Sequence, residues 1–426
     1  MNQMLHRAVR LVQDSLCPAT GCALRSYSLA LFSSFLLLVS CEMQPPLELV
    51  DRENNGNVDL NKVSLDLKVL WSYDLTYDWQ AEWWYDWDEK DEEIFGEWDI
   101  IEPNVFNIRR YYTGEDPNAP HTSILADVVT GTRFEARYKF GYYDILVWND
   151  VNTLDGVQSL HFDETTSLEY VTAYTNQSSQ PTNAPHHSPA YGPGYVKGLA
   201  FYQPEFLFAG NYDDLHVSDN PDDYDSLIIE TNTWYKYVPL ILEPVTYIYL
   251  PQIILHNNNN KISDVDGSGN LTGMARSVNL LTHITSDQDI SVNHSLRMKK
   301  NIPYMADRND PGSAVENVDI VGGRAITFGL TGLNPYKVSR ANASYHQMME
   351  SQVHNYLEVK MRFYNGADST FVWDVTDKVK ERYKGGVITI HIDCDSVTVP
   401  NKNAGSGSGF DATVKDFEEE THVIEM

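Results

Sequence analysis

Alternation with period two constrains this chain more than any other feature. From Val63 to Tyr73 every odd position (Val63, Leu65, Leu67, Val69, Trp71, Tyr73) is apolar or aromatic, and the even positions are mostly polar. Only an extended strand puts alternate residues on opposite faces, so this segment is expected to turn one side inward. The pattern returns where Leu357, Val359, Met361 and Phe363 alternate with Glu358, Lys360 and Arg362. Asn365-Gly366 and a second run from Thr370 to Trp373 follow, which predicts a hairpin. Further strands are expected at Val105 to Tyr111, Tyr142 to Trp148, Leu168 to Tyr174, Trp234 to Leu242, Val245 to Leu255, Met274 to Leu281, Ala325 to Leu330 and Val387 to Ile392. Many of these are rich in Val, Ile, Tyr and Trp, which suit a pleated surface. Helical candidates reduce to Tyr345 to Gln352 and a turn near Val375 to Tyr383, so the fold class is all-β.

The stretch Asn176 to Gly198, with its Gln, Ser, Pro, His and Gly, and the acidic stretch Asp213 to Asp225 are expected as loops. About 365 residues beyond position 61 exceed one typical core, so two domains are expected, over 62–220 and 230–400. Residues 401–426, with Gly405-Ser406-Gly407-Ser408-Gly409, read as a flexible acidic tail.

Ahead of the strands, Arg7, Arg10 and Arg25 precede an apolar run between Tyr27 and Val39. That run is about a dozen residues, short of the roughly 20 that span a bilayer, so residues 1–40 are expected to be a removable signal peptide. At its end Leu38-Val39-Ser40-Cys41 resembles a bacterial lipobox, with cleavage between Ser40 and Cys41 and lipid on Cys41. Two or more acyl chains hold a protein to a membrane durably where one does not. Residues 41–61 are poor in apolar groups and read as a tether.

The formal net charge of -29 becomes -31 when three arginines and one aspartate leave with the signal. Nucleic acid is thereby excluded as a partner, because its phosphates require cations and the field of this chain repels them. Cys17 and Cys22 leave with the signal and Cys41 carries lipid, so Cys394 is left without a disulfide partner. Its neighbours Ile390, Ile392 and Val397 make it a buried, inert thiol.

Catalytic and metal motifs do not accumulate. Asp264-Val265-Asp266-Gly267-Ser268-Gly269-Asn270 imitates the start of a calcium loop, but Ala275 stands at position twelve, where a bidentate Glu is required. A hairpin turn is expected there. His346, Glu350 and His354 would share a helical face, yet no His-Glu-x-x-His signature occurs and they read as solvated polar residues. His186-His187 and Gly192-Pro193-Gly194 read as loop residues. No cofactor is assigned and no enzyme is expected. Trp79, Trp83, Trp84, Trp87 and Trp98 sit among acidic residues, where they either cover the edge of a sheet or stack on sugar rings; packing is the favoured reading.

With the strands placed, several short matches together make the chain resemble the fimbrillin-like lipoproteins of bacteroidete bacteria, related to the lipid-anchored minor subunits of type V pili. They are the lipobox at Cys41, Leu65-Asp66-Leu67 running into Trp71, Tyr142 to Asn149, Leu271 to Val278, Thr327-Phe328-Gly329 and Trp373 to Asp377. The resemblance implies two tandem transthyretin-like β-sandwich domains. It implies a non-catalytic role at the base or side of a fimbria, in anchoring, assembly or adhesion, with fimbrial subunits as partners and the outer membrane as location. Pilins of that family join by β-augmentation. This chain shows no clear arginine cleavage site ahead of a removable first strand, which favours an anchor or accessory role over a shaft role. The alternative is a surface glycan-binding lipoprotein using the Trp-rich segment 73–98.

Overall fold

The computed structural model describes residues 61–69, 82–96, 102–151, 159–164, 167–181, 198–229, 233–308, 310, 312–334 and 353–402. Ser40, Cys41, Trp79 and Trp98 lie outside them, as do the candidate helix near 345–352, His186-His187 and the acidic tail.

The strands, in chain order, are β1 (Asn61–Val69), β2 (Val105–Gly114), β3 (Ser123–Thr130), β4 (Arg133–Arg137), β5 (Gly141–Asn149), β6 (Leu160–Asp163), β7 (Thr172–Thr175), β8 (Gln177–Pro181), β9 (Leu199–Tyr202), β10 (Phe208–Val217), β11 (Ser226–Ile228), β12 (Thr233–Pro244), β13 (Tyr247–His256), β14 (Ile262–Ala275), β15 (Ser277–Asn279), β16 (Asp289–Met305), β17 (Val315–Gly323), β18 (Ala325–Thr327), β19 (Tyr356–Phe363), β20 (Asp368–Asp374) and β21 (Gly386–Asp393). Among the described residues, two short α-helices, α1 (Glu89–Phe95) and α2 (Thr376–Glu381), interrupt them. The all-β reading stands.

The first sheet runs β3-β2-β5-β10-β12-β1-β4, with β11 on β12. Its corner is β12: Trp234 to Leu242 pair in parallel with β1, while Glu243 and Pro244 pair with β10. The sheet therefore folds into two layers around one core. Val63, Leu65 and Leu67 of β1 and Val238, Leu240 and Leu242 of β12 face Phe106, Ile108, Ile145, Val147 and Leu215, all buried. The alternation read in β1 is thus the inward face of this layer.

The second sheet runs β18-β13-β17-β16-β14-β19-β20, with β21 on β13 and β9 on β16. The 17-residue strand β16 turns its corner, pairing with β14 up to Ser295 and with β17 from Leu296 onward. Leu271, Val359, Met361, Phe371 and Trp373 from one layer enclose a core with Ile253, Leu255, Val321, Ile388 and Ile392 from the other. Cys394 lies in that core with no exposure, and burial pushes its thiol up to about 12, so it packs as an apolar group.

Between the sandwiches, β15-β7-β6 form a three-stranded sheet. Tyr111, Leu146, Trp148 and Ala209 on the outer face of the first sandwich meet Ala275, Val278, Leu280 and Phe328 in a separate buried cluster.

Four expectations are corrected. Asp264 to Asn270 is not a hairpin turn but part of β14, with Asp266, Gly267 and Ser268 bulging opposite Lys360. Gly267 has φ 74°, a conformation glycine adopts without strain. Lys360 Nζ lies 3.1 Å from Asp266 Oδ2, so this carboxylate is answered by a side chain. Asp213 to Val217 continues β10, because one extra residue between Tyr212 and Leu215 lets Asp213 and Asp214 protrude while Leu215 and Val217 return to the core. Gln177 to Pro181, expected as loop, pairs with β9 as β8. The segment Leu168 to Tyr174 begins as a 3-10 turn and becomes strand only at Thr172.

Candidate interaction face

The acidic, aromatic segment Glu82–Gly96, inserted between two strands of the first sandwich, lies across the outer face of the second. Its local structure follows from its charges. Asp88 caps α1 by accepting from the Lys90 and Asp91 amides, and the Asp91 side chain accepts from the Asp88 amide at 2.8 Å, closing a capping box. Glu89, Asp91 and Glu92 in the first turn suit the positive end of the helix dipole. The helix stops at Gly96, whose φ is 81°.

Trp83, Tyr85 and Phe95 are buried against Leu250 and Ile254 of β13, Tyr304 of β16, Val318 and Ile320 of β17 and Val387 of β21. The Tyr85 ring fits because residue 322 of β17 is glycine; a Cβ there would stand 2.3 Å from the ring. Gln252, fully buried on β13, accepts from the Trp84 amide at 2.9 Å and donates to the Glu82 carbonyl at 2.5 Å and to Thr389 Oγ1 at 2.8 Å.

A charged latch closes the other side. Asp91 has no exposure, and Arg297 Nη1 and Lys299 Nζ each approach it to 2.8 Å while the Tyr85 hydroxyl donates to it at 2.7 Å. Asp88 meets the same two cations at 2.8 and 3.1 Å. Burial opposes ionisation of Asp88, but hydrogen bonds from Arg297 and Lys299 outweigh it and hold the carboxyl below the usual carboxylate range. Burial, then the bond to Asp91, raises the Tyr85 phenol. Arg308 donates to the Trp83 carbonyl at 2.8 Å and places its guanidinium 3.5 Å from the Trp84 ring centre. Arg382 and Arg324 reach Glu82 and the Phe95 carbonyl.

Of the sequence-selected residues, Trp83 is therefore buried, Trp84 lies under Arg308 and against Tyr304 at 4.8 Å, and Trp87 packs on Phe95 at 4.8 Å. Trp84 and Trp87 each keep part of their surface exposed. Sequence reasoning missed Gln252, Arg297 and Lys299. The signal for the cations was present, since Leu296 and Met298 alternate with Arg297 and Lys299 in a strand, but nothing local named their partners. His354 stands 3.0 Å from Asp374 just ahead of β19, and His346 and Glu350 lie outside the described residues. Among the described residues no group of three or more His, Cys, Asp or Glu is placed to hold a metal ion.

At the sheet margins β3, β4 and β20 each pair on one side only among the described residues. The margin at β3 carries Val128, 64% exposed.

The fold thus defines a two-sandwich, all-β protein. No family model and no curated protein matches the chain. Among solved structures it is similar to two proteins named as "putative adhesins". The one from Bacteroides ovatus has 14% identity and a TM-score of 0.40, over 79% of this chain and 93% of that one. The one from Bacteroides thetaiotaomicron has 11% identity and a TM-score of 0.39, over 79% and 93%. It is also similar to the fimbrial anchor protein Mfa2 from Porphyromonas gingivalis, with 12% identity and a TM-score of 0.37 over 78% and 90%.

Proposed function

We propose that this protein is a lipid-anchored accessory or anchor subunit of a fimbria, held to the outer membrane through Cys41 and joined to other fimbrial subunits by strand contacts. The observation that supports it best is the margin at β3. An edge strand that pairs on one side only among the described residues and carries an outward Val128 is a template for an added strand, and natural sheets usually blunt such edges. Backbone hydrogen bonds supply the affinity of such a joint and alternate side chains its specificity, so no catalytic residue is involved.

The test places a photo-crosslinking residue at Val128 in intact cells and identifies what it captures by mass spectrometry. Capture of a fimbrial subunit is expected; recovery of only abundant outer-membrane proteins overturns the reading. The anchor is tested separately with Cys41→Ser, which is expected to lose fatty-acid label and leave the membrane fraction. Retention of both means that the lipid lies elsewhere.

A further inference from the structure

Glu82–Gly96 is bound to the second sandwich as a peptide ligand is bound to a receptor. It adds no strand to the ladder: it is recognised by side chains, with Gln252 reading its backbone at Glu82 and Trp84 and with Arg297 and Lys299 reading two carboxylates. Its charge is complementary to the face, since seven carboxylates and one lysine lie in the segment while Arg297, Lys299, Arg308, Arg324 and Arg382 reach it from the sandwich.

It is also separable. The cores of both sandwiches and of the junction contain no residue of the segment, whose apolar groups belong to a fourth cluster shared only with the outer face. Its departure would leave those three cores whole. The groove beneath is preformed by the sheet, because Gly322, Gln252 and the alternating Arg297 and Lys299 sit on strands fixed by pairing to their neighbours.

We propose that this face is a peptide-recognition groove for an acidic, aromatic segment, that Glu82–Gly96 is its resident occupant in cis, and that the same segment of a second copy occupies it in trans. Exchange of identical elements rebuilds identical contacts, so it carries little penalty beyond association itself. The short connections to the first sandwich keep the local concentration of the resident segment high, so the cis form dominates until copies are crowded.

The test replaces residues 82–96 by a Gly/Ser stretch of equal length and titrates the full chain with a fluorescent peptide of the 82–96 sequence. Saturable binding is expected, weakened at least tenfold by Arg297→Ala with Lys299→Ala and by raised salt. A folded replacement chain that binds no peptide, or binds it equally well without the two cations, overturns the proposal. Where the replacement chain fails to fold, hydrogen exchange on the unaltered protein decides. The Trp84 and Tyr85 amides are expected to exchange through a local opening that leaves β13 and β17 protected, and exchange only together with those strands overturns it.

Discussion

The side chain of His294 shows how a buried imidazole contributes to the pH response of the fold. It is fully buried on β16 beside Leu296, directly opposite Gly269 of β14. Gly269 leaves the room: a Cβ there would stand 2.6 Å from Leu296 and 3.4 Å from the imidazole. Burial lowers the pKa of His294 to about 4, and burial does the same for His283. Each imidazole therefore charges in the unfolded chain near pH 6.5 but stays neutral in the fold, so stability is full above that value and falls as pH drops towards 4. Between pH 7 and pH 5 each group costs about 2 kcal/mol. His294→Leu is expected to remove about half of this loss, read as urea midpoints at the two pH values; an unchanged loss assigns the acid sensitivity elsewhere. Gln252 provides a second case at this scale. Gln252→Ala strands the backbone groups of Glu82 and Trp84 at a buried site, which costs about 1–3 kcal/mol and should appear as a lowered melting temperature with faster exchange of the Trp84 amide.

Among the elements, alternation made β12, the β19–β20 hairpin and the described part of β1 legible in the sequence, with Asn365-Gly366 marking the turn. By contrast, β5, β13 and β21 were legible through their Val, Ile, Tyr and Trp content, because they are buried on both faces over much of their length. The missed ones share a cause. In β10 and β14 a bulge shifts the register, so Asp213-Asp214 and Asp264 to Gly267 break the pattern although the strand continues. Charge and glycine there imitate a turn because a bulge and a turn both use a left-handed residue, here Asp214 at φ 55° and Gly267 at φ 74°. The aromatic segment was legible as packing material, since Trp83 and Trp84 are too apolar to be left bare, but its site on the far sandwich depends on contacts more than 150 residues away in sequence, such as Gln252 with Trp84. Position 128 belongs to this scale too, because its role is that of a strand edge. Val128→Lys changes a residue facing solvent, so folding stability should stay within about 0.5 kcal/mol of the parent. The added charge blunts the edge, and, under the proposed function, capture of a partner at this strand should fall; undiminished capture would place the joint on another strand.

For the whole molecule, the decisive feature is that the two sandwiches share a core. Trp148 and Leu146 of β5 are outward residues of one sandwich, yet they are buried because Phe328, Val278 and Leu280 of the other meet them. The chain also crosses back: β9 pairs in parallel with β16, and β7 pairs antiparallel with β15. Segments from the first half of the sequence thus complete sheets in the second, and neither body presents a finished surface to water at the junction. Phe328→Ala removes a fully buried ring from this contact, at a cost of about 3–5 kcal/mol. If the junction binds the sandwiches into one cooperative unit, that loss must appear in both. Hydrogen exchange under increasing denaturant should show the β5 and β14 amides losing protection together in the parent and shifting by the same amount in the variant. A variant in which β14 becomes labile while β5 keeps its parental protection would mean that the sandwiches open independently. The junction would then act as a hinge between two bodies, and force applied across the protein would separate them before it unfolded either.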